Sequence, residues 1–572
     1  MTSFDLVIRG GTVFDGCGGE PIDADIAIAR GKIEAVGRNL ESGIEEIDAR
    51  GLIVTPGFVD LHTHYDGQVT WENRLSPSSQ HGVTTVIMGN CGVGFAPCRP
   101  DQHELMIKLM EGVEDIPDVV LAEGVPWNWT SFPDYLDAIG KRECDVDFAA
   151  QLPHSPLRVF VMGERGANLE PPTSDDLEEM RRLAAEAVRA GALGVSTSRH
   201  LAHRFKDGRL APSVPTEEEE VLTLARGLRD AGTGVFQILP NPELPVDAQF
   251  DLIRRIAVES GRPVSFTFTE TRNDPGAWRY VLDALAESER HGLQIRGQVL
   301  PRPTGALLGL ELSLNPFSLN PSFKRIAYRP LAEKLAIMKD PSFKKQLLSE
   351  QAEDPREFFR LVVSDYEAMY VLGDPPDYNP SKDNSIAARA RRLGVEPPDL
   401  IYDVLLERGG HEIIYRPMGE AHGERFEARG RDLLGRQNVV LGLGDGGAHY
   451  GMICDAAYTT YLLTYWVRDA PPDRAIPLAR AIEMLTREPS ETVGLNDRGV
   501  VKPGYRADLN LIDLNELRLY APRVSYDLPA DGRRLSQEAD GYVSTLVAGK
   551  VTYRRGKWTG ELPGRLVRGS AA

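Results

Sequence analysis

Residues 52–66, LIVTPGFVDLHTHYD, constrain this chain more than any other stretch. Val54 to Leu61 is apolar and β-prone, is interrupted by Pro56 and Gly57, and is closed by His62, Thr63 and His64. Side chains on a strand alternate between faces, so His62 and His64 share one face while Thr63 takes the other. Two imidazoles on one strand face can share a metal ion. Asp60 and Asp66 flank the pair and are expected to accept hydrogen bonds that fix the ring tautomers.

The remaining ligands must come from elsewhere, and the chain is built to bring them. Seven further runs read as strands: 82–90, 146–153, 191–199, 232–240, 263–271, 293–301 and 439–447. Helical segments separate most of them, such as 174–191 and 216–232, each opening on Ser or Thr followed by acids, as capping and the helix dipole favour. Alternating strand and helix is the signature of an α/β fold with a parallel sheet. Eight strands predict a TIM-type (β/α)8 barrel with its active site at the C-terminal strand ends. Residues 4–56 and 499–556 carry short strands without helical periodicity. We therefore expect a small β-sandwich domain from both termini (1–56 and 499–572) beside a barrel over 57–498. The long stretch between strands seven and eight, about 305–435, reads as an inserted subdomain: either a lid over the barrel mouth or peripheral packing.

Four residues at strand ends are candidate metal ligands: His62 and His64 after the first strand, Cys91 in MGNCGVG after the second, and Asp445 in LGLGDGG after the eighth. First, second and eighth strands are neighbours in a closed barrel, so these residues can meet despite their separation in sequence. Two imidazoles, a thiolate and a carboxylate suit zinc. A buried apolar role for Cys91 is the alternative.

The HTHYD motif resembles the amidohydrolase superfamily. GNCGVG, LPHSPLR, GALGVSTSR, GDGG and RGVVKPGYRADLNLID narrow the resemblance to the N-acyl-D-amino-acid deacylases (D-aminoacylases), over nearly the whole chain. The resemblance implies a sandwich beside the barrel and Cys91 as a metal ligand. It also implies histidines ending the fifth and sixth strands to complete a second metal site, and this chain has none there. Gln237 stands near the first of these places, and Thr267, Thr269 or Glu270 near the second. One zinc ion is therefore favoured, with a second requiring Glu270, His200 or His203. The arginine that the family places shortly after the eighth-strand Asp is also missing. Arg302, His203, His449 and Gln237 are the substrate-binding candidates. Arg302 either replaces that arginine or pairs with the inserted subdomain; His203 either faces substrate or caps its loop. His154 and Arg158 are expected to support the loop after the third strand, and His81, His103, His291, His411 and His422 to lie on the surface.

The implied chemistry is hydrolysis of a linear amide, as in an N-acyl amino acid, by a metal-bound hydroxide with Asp445 as general base and acid. A cyclic amide, carbamate or ester substrate, or a degenerate barrel with a non-catalytic binding or assembly role, are the alternatives. The net charge of −19 argues against nucleic acid and anionic membrane as partners. No apolar run is long enough to span a bilayer. The N-terminus shows no signal-peptide core, and five scattered cysteines suit a reducing compartment, so the expected location is cytoplasmic. The expected partner is a small-molecule substrate; a homo-oligomer is left open.

Overall fold

The computed structural model describes residues 4–269, 276–354, 357–418 and 423–569. Eight strands form the barrel wall: β1 (Phe58–Asp60), β2 (Val83–Met88), β3 (Asp147–Ala150, continued by Leu152–Pro153), β4 (Gly194–Ser198), β5 (Val235–Leu239), β6 (Val264–Thr267), β7 (Ile295–Val299) and β8 (Val439–Leu441). Each pairs in parallel with its neighbour from β1 to β8. The ring closes beyond the strand ends, where Asp445 N–H donates to His62 O (3.1 Å) and His64 N–H to Gly446 O (2.8 Å). The strands are almost wholly buried, as a sheet covered on both faces requires.

The covering helices follow from amphipathic patterning. Helix α1 (Ser174–Arg189) is capped by Thr173, whose hydroxyl accepts from Asp176 N–H, and buries Met180, Ala184, Ala187 and Val188. Helix α2 (Glu218–Ala231) differs from the expected capping: Glu217 occupies the cap without a side-chain bond, and Thr216 instead donates to Ser213 O (2.9 Å). Three glutamates in its first turn complement the helix dipole.

Both chain ends meet in one nine-stranded sheet beside the barrel. Its central contact is antiparallel pairing of Leu509–Ile512 with Ile53–Pro56, immediately before β1. Two stretches of the C-terminal part lie away from this sheet. The hairpin Arg523–Leu528/Gly532–Ser536 reaches the barrel mouth, where Leu535 N–H donates to Tyr450 O (2.7 Å). Residues 564–569 run along the barrel, bridging Cys144 and Phe148.

Between β7 and β8 the chain builds a three-stranded sheet (Gly305–Leu308, Tyr370–Val371, Ile414–Pro417) with its own helices and its own apolar core, including Leu308, Phe317, Met338 and Ile401. This insertion sits on the loop after β8: Leu307 N–H donates to Met452 O and Ser313 N–H to Gly451 O. Among the described residues no helix is long and apolar enough to cross a membrane.

Candidate metal centre

His62 and His64 leave β1 on the same side, with ring centroids 5.5 Å apart, while Thr63 turns away and donates its hydroxyl to Ile87 O (2.8 Å). Both imidazoles are buried. His62 Nδ1 lies 2.6 Å from Gln298 Oε1 on β7, which leaves Nε2 for the centre. The flanking aspartates do not do this. Asp60 accepts from the His62 backbone N–H (3.1 Å) and Asp66 from Gly89 N–H (3.1 Å), so each braces the main chain instead of a ring.

Cys91 sits in a tight loop that its glycines permit. Gly89 has φ +79°, and a Cβ there would come within 2.2 Å of Gln151 O. Cys91 itself has φ +54°, a left-handed conformation that costs of order 1 kcal/mol for a residue with a Cβ. The turn brings its Sγ to 3.3 Å from His62 Nε2. Asp445 is delivered in the same way, at φ +48°. A Cβ on Gly444 would lie 2.0 Å from Asp60 Oδ2 and one on Gly446 2.4 Å from the Tyr65 hydroxyl, so the eighth-strand loop reaches the first only because both are glycine. Asp445 Oδ1 then stands 3.6 Å from Nε2 of both His62 and His64.

Ligand atoms of His62, His64 and Cys91 all lie within 4.8 Å of one another. In a tetrahedral zinc site, bond lengths of about 2.0–2.3 Å place neighbouring donors about 3.3–3.6 Å apart. The contacts of Cys91 with His62 (3.3 Å) and of Asp445 with His62 and His64 (3.6 Å each) match that spacing, and the chemistry of the donor set suits a divalent metal. Burial pulls His62 down to about 4, so its ring is neutral, as a ligand must be. Burial also raises the Cys91 thiol to about 11. Asp445 is opposed by burial, but His64, His62 and His449 outweigh it and hold the carboxylate well below its usual range.

One carboxylate at the centre was not foreseen from sequence. Glu114 ends the helix His103–Glu114 in the long stretch after β2 and is buried. Its Oε1 lies 3.5 Å from His64 Nδ1 and its Oε2 3.4 Å from His449 Nε2. The next residue, Asp115, accepts from Ser313 of the insertion (2.7 Å) and from Gly451 N–H (3.2 Å). The helix end, the insertion and the loop after β8 are thus locked together around the site.

The other candidates divide. His449 reaches Glu114, and its Nδ1 is buried without a partner among the described residues. His203 packs beside His200, with ring centroids 5.7 Å apart; burial holds its pKa well below normal, and its Nδ1 is also unpartnered among the described residues. Gln237 is buried and accepts from Cys91 N–H through Oε1 (3.0 Å). Arg302, for which substrate binding and pairing with the insertion were the alternatives, is engaged within the protein. It is buried, ion-paired with Asp455, donates to Cys454 O (2.9 Å), and lies 3.8 Å over the Tyr378 ring of the insertion. Burying a guanidinium demands such pairing, which leaves it committed. Glu270 and His422 lie outside the described residues. His154 and Arg158 both bond Glu220 below the third-strand loop. His81 is not on the surface: it is buried, held between Thr460 Oγ1 (2.8 Å) and Gln537 O (3.0 Å).

A sequence profile of the Amidohydrolase family matches residues 45–553, and the chain belongs to that family. It is 25% identical to D-aminoacylase of Alcaligenes xylosoxydans xylosoxydans over 575 residues, 100% of this chain and 98% of that one. It is 36% identical to N-acyl-D-aspartate deacylase of the same organism over 196 residues, 34% of this chain and 36% of that one. Among solved structures it resembles a D-aminoacylase variant in complex with copper chloride, with a TM-score of 0.67, 23% identity, and coverage of 99% of this chain and 100% of that one. The shared fold is the barrel with its β-sandwich.

Proposed function

We propose that this amidohydrolase cleaves the linear amide of an N-acyl amino acid, of the D series, using one zinc ion. The convergence of His62, His64, Cys91 and Asp445 at the barrel mouth carries this reading. Full-length similarity to D-aminoacylase supports the substrate class. Zinc is favoured by the mixed nitrogen, sulfur and oxygen donors. A single ion is favoured because β5 offers Gln237, a poor zinc ligand, at the position where the deacylases carry an imidazole.

A divalent cation held by His62, His64, Cys91 and Asp445 would supply Lewis-acid chemistry, acidifying water and polarising a carbonyl. The chain's own residues do the rest. Asp445 is kept ionised by the imidazoles around it and is partly exposed, so it can take the water's proton and pass it to the leaving nitrogen. Gln298 bonds the His62 ring, and the Glu114 carboxylate stands 3.5 Å from the His64 ring, behind the face that Asp445 approaches. The insertion, tied to the loop after β8 through Asp115, walls the mouth against water. Five free cysteines among the described residues support a reducing, cytoplasmic setting.

The test pairs hydrolysis of matched N-acyl-D- and N-acyl-L-amino acids with elemental analysis of the dialysed protein. His64→Ala should lose metal and activity together. Asp445→Asn should lose about 10²–10⁴ in kcat with the fold intact. Near-full turnover by Asp445→Asn would rule out its role as proton carrier, and two ions per chain would rule out the single site.

A further inference from the structure

Gln237 projects from β5, three strands round the barrel from β2, yet its side chain reaches the loop after β2. Its Oε1 accepts from the Cys91 N–H at 3.0 Å. A backbone N–H only donates, so the orientation of the amide is fixed: Oε1 faces Cys91 and the Nε2 donors face elsewhere. Gln237 is fully buried, and Nε2 has no partner among the described residues. An unpaired buried donor is destabilising. Flipping the amide does not relieve it, because two donors would then face each other. The cost is carried next to the metal ligands, since Cys91 Sγ is itself 3.3 Å from His62 Nε2. An unsatisfied amide that spans the barrel to the centre is placed to meet an oxygen that arrives with substrate.

We propose that Gln237 is a catalytic residue, its Nε2 donating to the carbonyl oxygen of the scissile amide as that oxygen takes on charge. This rests on the amide-hydrolysis reading above. In the step, the oxygen of water bonds to the carbonyl carbon and the π pair moves onto the carbonyl oxygen. The water's proton passes to Asp445. As the carbon–nitrogen bond breaks, that proton goes to the departing nitrogen, giving a carboxylic acid and an amine. Gln237 exchanges no proton. Its hydrogen bond strengthens as the oxygen becomes an oxyanion, so it favours the transition state over the bound substrate.

The experiment compares metal-loaded wild type, Gln237→Leu and Gln237→Glu. Gln237→Glu keeps the size and the acceptor for Cys91 N–H and exchanges the donor for a charged oxygen, which opposes an oxyanion. Metal content, kcat and KM for an N-acyl amino acid, and equilibrium binding of the corresponding phosphonate, a tetrahedral mimic of the charged intermediate, are measured for each. Both variants should keep the wild-type metal content and a KM within about threefold of wild type while losing about 10²–10³ in kcat. Phosphonate affinity should fall by the same factor as kcat/KM. Turnover and phosphonate binding close to wild type in Gln237→Leu would overturn the proposal. So would loss of metal in step with loss of activity, because Gln237 would then act only by holding Cys91. Should Gln237→Leu fail to fold, Gln237→Glu decides by the same readings. Wild-type protein that hydrolyses no acyl amide overturns the amide reading as well; wild-type turnover with an unimpaired variant overturns this proposal alone.

Discussion

His62 Nδ1 and Gln298 Oε1 are 2.6 Å apart, and that contact decides which nitrogen of His62 faces the metal centre. Gln298 is held in turn by Ser265 on β6, to whose Oγ its Nε2 donates (3.0 Å). Two strands therefore orient the ring of a residue on a third. Partners of this kind typically contribute 10–100-fold to metal affinity. Gln298→Leu should weaken metal retention by about that factor, read by competition with a chelator. Retention equal to wild type would show that His62 is oriented by packing alone.

The four residues that meet at the candidate centre were legible in sequence and the residues that brace them were not, for a physical reason. His62, His64, Cys91 and Asp445 lie at strand ends in short, glycine-bounded motifs, and a closed barrel brings strand ends together whatever separates them in the chain. Glu114 lies at the end of a helix in a long connection, and nothing local marks it. Only the packing of that helix against the loop after β8 carries its carboxylate to His64 and His449. Gln298 looks like an ordinary polar residue within a strand until the opposite face of β7 is known to point at His62. Asp60 and Asp66 illustrate the converse: adjacency in sequence suggested ring partners, but short side chains beside a turning backbone reach main-chain N–H groups first.

Arg302 was open to two roles in sequence, and its surroundings now give a specific expectation. Its guanidinium is paired with Asp455, whose carboxyl burial pushes up to about 6. Removing one partner of a buried pair leaves the other charge uncompensated, at a cost of about 3–5 kcal/mol. Arg302→Ala should therefore lower the thermal midpoint strongly, and adding Asp455→Ala should restore part of the loss, since the two changes share one interaction. A raised KM with an unchanged midpoint would return Arg302 to substrate recognition.

Glu220 provides a stability test independent of the metal. It projects from α2 beneath the third-strand loop, fully buried, where it meets His154 Nε2 at 2.8 Å and the Arg158 guanidinium. Burial pushes its pKa upward, but His154 and Arg158 outweigh burial and hold it below the usual glutamate value. A carboxyl whose folded pKa lies below its unfolded one binds fewer protons when folded. The stability it contributes is therefore complete above the unfolded value, about 4.3, and is lost as pH falls through the lowered folded value. Glu220→Gln keeps the shape and removes the charge, leaving Arg158 buried against a neutral amide. At neutral pH the variant should be destabilised by about 3–5 kcal/mol. The gap should narrow as pH drops below about 4, where the wild-type carboxylate takes up its own proton. Unfolding midpoints of both proteins across that range check both parts. A gap that stayed constant from neutral to acid pH would mean that the substitution acts through packing and not through the charge on Glu220.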